Sequence, residues 1–249
     1  MRFLTCAGLL LLGTAAAAAQ TERQKEEALL HVKAGNAALE VERWDEAARE
    51  FNAAIQLDPR LELAYCGLGR VHMATRRYPR AIDAFTSCRN VFLGNVAEGQ
   101  GQQLEIEQRI DKQLLNLKDQ RSALQSGRVR SRDVQASLRR VDDQIRQLER
   151  LRGRAPGAAP AVPPYILTAL GSAYFRAGAF AEAEREWREA VSVDPSVGEI
   201  HNNLAVVLML TNRLDEAEKE IALAERHGFR VSQGLKDDLE ARKGGKKDS

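Results

Sequence analysis

One spacing dominates this chain. Gly35, Ala47, Phe51, Ala54 and Pro59 reappear 34 residues later as Gly69, Ala81, Phe85, Cys88 and Leu93. The same offsets return as Gly171, Ala183, Trp187, Ala190 and Pro195, and again as Ala205, Ala217, Ile221, Ala224 and Phe229. Four sets without an insertion define a structural repeat of two helices that cannot bury its apolar face alone. The small residues let two helix axes approach closely, and the bulky residue four after the second small one fills the space beside them. Trp44-Asp45, Tyr78-Pro79, Phe180-Ala181 and Leu214-Asp215 occupy equivalent turns. An N-capping Asp or a first-turn Pro there, after an apolar staple, predicts the start of the second helix. Asp58-Pro59 and Asp194-Pro195 predict its end, because proline disfavours the helical region for the residue before it.

These residues resemble the tetratricopeptide-repeat family, and with the leader described below, an exported bacterial member of it. Leu170-Gly171-Ser172-Ala173-Tyr174, followed by Ala183, Trp187 and Pro195, reproduces the family pattern almost completely. The first repeat lacks its Leu and Tyr, the second its terminal Pro, and the fourth has Ala205 for Gly. The resemblance covers a little over half the chain. It implies an all-α solenoid of helical hairpins that binds proteins, with no catalysis and no cofactor. In the family the inward face of each first helix lines a groove for a peptide or partner helix. On this chain that face includes Leu29, Val32, Asn36 and Leu39, then Leu63, Cys66, Arg70 and Met73. It continues with Tyr165, Thr168, Ser172, Phe175 and Arg176, then Asn202, Val206 and Met209. Apolar area with interspersed amides suits a peptide backbone. Several of these residues have packing against neighbouring helices as their simpler role. The family's carboxylate clamp is not supported, since Val32 stands where a Lys is wanted and Gly67 where an Asn is wanted.

Between the repeat pairs, adding 34 twice more to Gly69 would put Asp119 and Glu149 at packing positions, so the segment is no repeat. It has heptads instead. Ile110, Leu114, Leu117 and Leu124, with Arg121 interrupting, and Val134, Leu138, Val141, Ile145 and Leu148 are spaced by fours and threes. They predict an antiparallel coiled-coil hairpin of two helices of roughly 20 residues turning near Gly127, with Ser131 capping the second. Gly94, Gly99 and Gly101 read as a loop. Residues 153–163 form a Pro/Ala/Gly linker. The expected organisation is then a leader at 1–19 and an N-terminal repeat pair at 20–95 (repeats about 28–61 and 62–95). The hairpin occupies 96–152 and the linker 153–163. A C-terminal pair follows at 164–231 (repeats about 164–197 and 198–231), then a capping helix at 232–243 and a solvated tail at 244–249.

The leader rests on Arg2, an apolar run from Phe3 to Leu12, and an Ala-rich end that predicts cleavage after about Ala19. It implies a periplasmic or secreted protein without a stable membrane span after cleavage. The formal net charge of +2 gives no field for nucleic acid. No H-E-x-x-H, phosphate loop or nucleophile elbow occurs, so catalytic and metal sites are not expected. Cys88 replaces a packing Ala, which makes a buried free thiol its simpler reading; a bond to Cys66 would require the two side chains to converge. The function expected is a protein-binding adaptor or scaffold in the cell envelope. Self-assembly as a homodimer through the hairpin is the alternative.

Overall fold

A computed structural model describes residues 6–126, 134–152 and 161–245, leaving the side chains of 6–19, 151, 152 and 245 undescribed. The Gly127 turn, the Ser131 cap, most of the linker and the last four residues lie outside the described residues. All regular structure among the described residues is helical: α1 (Cys6–Glu40), α2 (Trp44–Leu57), α3 (Glu62–Ala74), α4 (Tyr78–Gln125), α5 (Val134–Arg152), α6 (Pro164–Arg176), α7 (Phe180–Val193), α8 (Gly198–Leu210), α9 (Leu214–Arg226) and α10 (Gln233–Gly245). The chain divides into two compact units. The first joins residues 1–93 to 161–249, and the second is 94–160.

In the first unit the repeat signature is a set of knobs over notches. A Cβ on Gly35 would lie 2.8 Å from the Phe51 ring, and one on Gly67 would lie 2.3 Å from it. Gly69 stands in the same relation to Phe85, and Gly171 to Trp187, at 2.6 Å each. No side chain fits beneath these rings. The fourth repeat has aliphatic Ile221 at the ring position, and there Ala205 replaces glycine. Ala47, Ala54, Ala81, Ala183, Ala190, Ala205, Ala217 and Ala224 are all fully buried.

The turns differ from expectation. The second helices start on the apolar residue itself, and no side chain caps α2, α7 or α9. Asp45 and Asp215 lie inside the first turn, where they favour the helix dipole without capping it. Chain reversal depends on a left-handed residue at one repeat position: Glu42, Arg76, Gly178 and Asn212, with φ of 58°, 58°, 81° and 62°. The following amide then bonds back to the first helix, as from Arg43 to the Ala38 carbonyl at 2.8 Å. The Asp-Pro stops behave as the sequence predicts. Asp58 and Asp194 leave the helical region, and their carboxylates accept the amides of Arg60 and Ser196 at 2.9 Å.

Where the second repeat lacks that proline, its second helix does not stop. Leu93 stands at the Pro position, and α4 runs on to Gln125 through Gly94, Gly99 and Gly101. The expected glycine loop is therefore helix, because three glycines weaken a helix without breaking it as proline does. A Cβ at any of the three would meet open space. Replacing all three by Ala should raise helix stability by about 0.5–1 kcal/mol per site. Thermal melts at 222 nm would show this as a higher melting temperature; a lower one would mean these positions are not plain helix interior.

Repeats two and three share one core although about 70 residues separate them in sequence. Cys66, Phe85 and Cys88 belong to the same buried cluster as Ile166, Leu170, Trp187, Leu204 and Leu239. A second cluster closes repeat one onto α3 through Phe51, Ala64 and Val71. The unit is a continuous stack of four hairpins, ending on α10.

In the second unit, Leu114, Leu124, Val141 and Ile145 form a buried seam, flanked by Ile110, Leu117, Leu138 and Leu148. Lys118 pairs with Glu149, and Arg121 with Asp142, each at 3.5 Å. Rising numbers on α4 meet falling numbers on α5, so the two helices are antiparallel. Arg121, which interrupts the apolar series, stays exposed and reaches a carboxylate across the seam.

Candidate functional site

The first helices of the four repeats (α1, α3, α6 and α8) place the expected binding residues in rows. Leu29, Leu63 and Tyr165 share one repeat position and are 50%, 44% and 54% exposed. Glu199 is the fourth member of that row and is also exposed. Three large apolar side chains on successive helices are thus left facing solvent, although each helix had buried positions available nearby. Glu62 stands beside this row, and its carboxylate, together with partial burial, holds the Tyr165 phenol above its usual pKa, burial being the larger cause.

The next rows are more polar. Arg70 donates to the Asn36 carboxamide oxygen at 3.1 Å, joining two expected contact residues across adjacent repeats. Ser172 donates to the Thr168 carbonyl of its own helix at 2.8 Å. Asn202 is half-buried and Arg176 exposed. Val32 and Cys66 are buried.

The row of Leu39, Met73, Phe175 and Met209 turns inward and serves packing. Met209 is 2% exposed and lies in the core, and Arg242 of α10 donates to its carbonyl at 3.3 Å. Phe175 packs on Phe180 and Trp187 with ring centroids 5.5 and 5.7 Å away. Met73 packs against the same core. Met209 is therefore a packing residue, whereas Met73 and Phe175 are half-buried and pack on the core while keeping part of their surface exposed. The helix spacing that brings a residue to the inner side does not reveal whether the next helix covers it.

The cysteines are also corrected. Cys66 on α3 and Cys88 on α4 form a disulfide with a Cα–Cα distance of 5.3 Å. Close packing of the two helices, set by Gly69 beneath Phe85, brings the side chains together.

A second set of residues was missed by the sequence reading. Glu50, Glu186 and Glu220 are repeat equivalents. In repeats one and four a histidine of the same repeat faces that glutamate: His31 to Glu50 and His201 to Glu220, both at 2.7 Å. Repeat three has Leu167 at the histidine position. There Arg89 of repeat two reaches Glu186 instead, with its guanidinium 3.0 and 3.1 Å from the two carboxylate oxygens. Glu186 is 1% exposed, and exposed Arg185 also touches it at 3.2 Å. The signal was present as a missing histidine, but its replacement partner lies 97 residues away. At the surface, Arg213 bridges Glu184 and Glu216 at 2.6 to 2.8 Å, and these hydrogen bonds hold its guanidinium above its usual pKa.

Among the described residues, no group of three or more His, Cys, Asp or Glu side chains is placed to hold a metal ion. No helix among them is long and apolar enough to cross a membrane.

Residues 32–87 and 168–228 match the tetratricopeptide-repeat family profile. No curated protein sequence matches the chain. Among solved structures, it is similar to the APC/C hetero-tetramer Cut9-Hcn1, at 17% identity and a TM-score of 0.30. That match covers 89% of this chain but only 44% of the other, so this chain spans less than half the length of that relative. It is also similar to TTC0263, a thermophilic TPR protein in Thermus thermophilus, at 17% identity, with 86% and 98% of the two chains covered and a TM-score of 0.35. A third likeness is to PilW, a type IV pilus biogenesis factor, at 14% identity, with 87% and 86% covered and a TM-score of 0.42. The helical hairpins of residues 32–87 and 168–228 are tetratricopeptide repeats, stacked through a shared core.

Proposed function

We propose that this chain is a protein-binding adaptor or scaffold of the bacterial cell envelope. On this reading residues 1–19 direct export, and the face made by α1, α3, α6 and α8 holds a peptide or partner helix. The reading rests chiefly on the row of Leu29, Leu63 and Tyr165. Exposing three large apolar side chains in register costs solvation with no return in folding, whereas covering them with an apolar ligand face recovers it. Asn36, Arg70, Ser172 and Asn202 border the row and supply donors and acceptors for a ligand backbone. The Cys66–Cys88 disulfide suits an oxidising compartment and so supports export.

The test is selection of a displayed peptide library on the chain, followed by titration of the winning sequence. A convergent apolar sequence should emerge, and Leu29→Asp/Leu63→Asp should weaken its binding at least about tenfold, since these are exposed contact positions. Unchanged affinity in that variant, with the helical spectrum intact, would remove the row from the binding surface.

A further inference from the structure

The stack of hairpins in the first unit is closed at one end and open at the other. At the C-terminal end α10 lies over the fourth repeat. Leu239 is buried in the shared core, Lys236 pairs with Glu225 at 2.9 Å, and Arg242 reaches the Met209 carbonyl. At the other end, no element among the described residues covers α1 in this way. Leu30 is 66% exposed, whereas its repeat equivalents Ala64, Ile166 and Ile200 are at most 1% exposed. Ala37 is exposed, whereas Val71, Ala173 and Val207 at the same position are buried. In the later repeats this side of the first helix packs on the repeat before it, as Ala64 and Val71 of α3 do in the core they share with Phe51 and Ala54 of α2. The residues ahead of Leu30 continue α1 from Cys6 as one helix and do not turn back over it.

The open side carries a seam. Leu30, Ala34, Ala37 and Val41 are all exposed and follow one another at spacings of four, three and four. That is the spacing of a coiled-coil seam, here about three turns long. The two alanines at its centre let a second helix approach closely. Terminal repeats ordinarily present a polar outer face, so an apolar stripe at this place is unusual. Lys33 and Glu40 stand on one flank of the seam, seven residues apart. Both are exposed, and neither has an ion-pair partner among the described residues.

We propose that this seam is a homodimer interface, in which α1 packs antiparallel against α1 of a second copy of this chain. The two-fold axis lies between the two helices and across them, so each copy turns the same stripe toward the other, as an isologous interface requires. Setting Leu30 opposite the partner's Val41 puts Ala34 opposite the partner's Ala37, and symmetry repeats both layers. Like flanks then face each other. Lys33 comes beside the partner's Glu40, displaced by only about 3 Å along the helix, and Glu40 comes beside the partner's Lys33. This charge pattern selects the occupant. A parallel copy would place Lys33 beside the partner's other flank, where Ala38 stands, and would pair neither charge. An acidic or a basic helix would satisfy only one of the two. Head-to-tail stacking of copies is blocked, because α10 already covers the far end of the stack. The interface does not rest on the peptide-binding reading, whose test substitutes other residues. Its short seam places it at the weak end of protein interfaces.

The test is sedimentation of the full chain over a concentration series, with native mass spectrometry to identify what associates. The wild type should form a dimer of twice the chain mass that dissociates on dilution. Ala34→Glu/Ala37→Glu puts four carboxylates into the seam and should leave a monomer throughout, because juxtaposed like charges disfavour association strongly. Lys33→Glu and Glu40→Lys should each weaken the dimer about tenfold at low salt, since two exposed pairs change from attraction to repulsion. Lys33→Glu/Glu40→Lys exchanges the charges and should return the wild-type association constant. All four positions are exposed, and the spectrum at 222 nm reports whether each variant keeps its helix. A folding defect in a single variant does not imitate recovery in the exchanged one. A wild type that stays monomeric, or that gains a mass other than that of a second copy, would overturn the proposal. So would dimers that survive Ala34→Glu/Ala37→Glu, which would place the contact elsewhere, the apolar leader included. A charge exchange that fails to restore association would do the same.

Discussion

Arg89→Ala should destabilise the repeat stack by about 3 kcal/mol, as removal of one partner of a buried ion pair does elsewhere. The carboxylate of Glu186 is almost wholly buried and would keep, among the described residues, only the exposed Arg185 as an ion-pair partner. For a unit of this size, that loss corresponds to a fall in melting temperature of roughly 6–12 °C. A control separates charge from volume. Arg89→Met/Glu186→Leu removes both charges and keeps the bulk, and it should recover most of the loss, since apolar replacement of a buried pair is often neutral. If the single variant melts like the wild type, Glu186 is not held by Arg89. The location of the pair gives the effect its meaning. Repeats one and four pair this glutamate with a histidine of the same repeat, but repeat three relies on repeat two. The pair therefore clips the two halves of the stack together where residues 94–160 interrupt them in sequence.

Removing the disulfide should cost about as much. Closing 22 residues of chain withdraws entropy from the unfolded state worth roughly 3 kcal/mol. In a Cys6→Ser background, Cys66→Ala/Cys88→Ala should melt roughly 6–12 °C below the parent. The parent should drop toward the same temperature in dithiothreitol, while the double variant should ignore the reductant. Two free thiols titrated in the folded, unreduced parent would dispose of the bond. The disulfide and the ion pair act at one end of the same repeat: Cys88 and Arg89 are neighbours on α4, one fixed to α3 and the other to α7.

The repeat register was legible because it is written in local chemistry. Gly35 and Gly69 are small since Phe51 and Phe85 lie over them, and Ala205 tolerates a methyl since Ile221 is not a ring. Helix ends were legible where proline enforces them, at Pro59 and Pro195. They were misread where the sequence offered only a weaker cue. Gly94, Gly99 and Gly101 permit a loop but do not require one, and helix continues through them. The left-handed turn residues were illegible in Glu42 and Arg76, whose side chains give no hint of a positive φ, though Gly178 and Asn212 at the same position carry one.

For the candidate binding face, spacing alone assigns each residue to one side of its helix. Whether such a residue meets solvent depends on its neighbour, and there the sequence was silent. Leu29, Leu63 and Tyr165 stay exposed, while Met209, chosen by the same rule, is consumed by packing and Phe175 is half-buried.

The sequence by itself determined the all-helical repeat, its period and its notches, because each follows from residues within about 34 positions of one another. Only the tertiary structure decided what joins distant segments: the Cys66–Cys88 bond and the Arg89–Glu186 pair. Spacing fixes which face of its own helix a side chain occupies. Its partner is fixed by which helix comes to lie against that face.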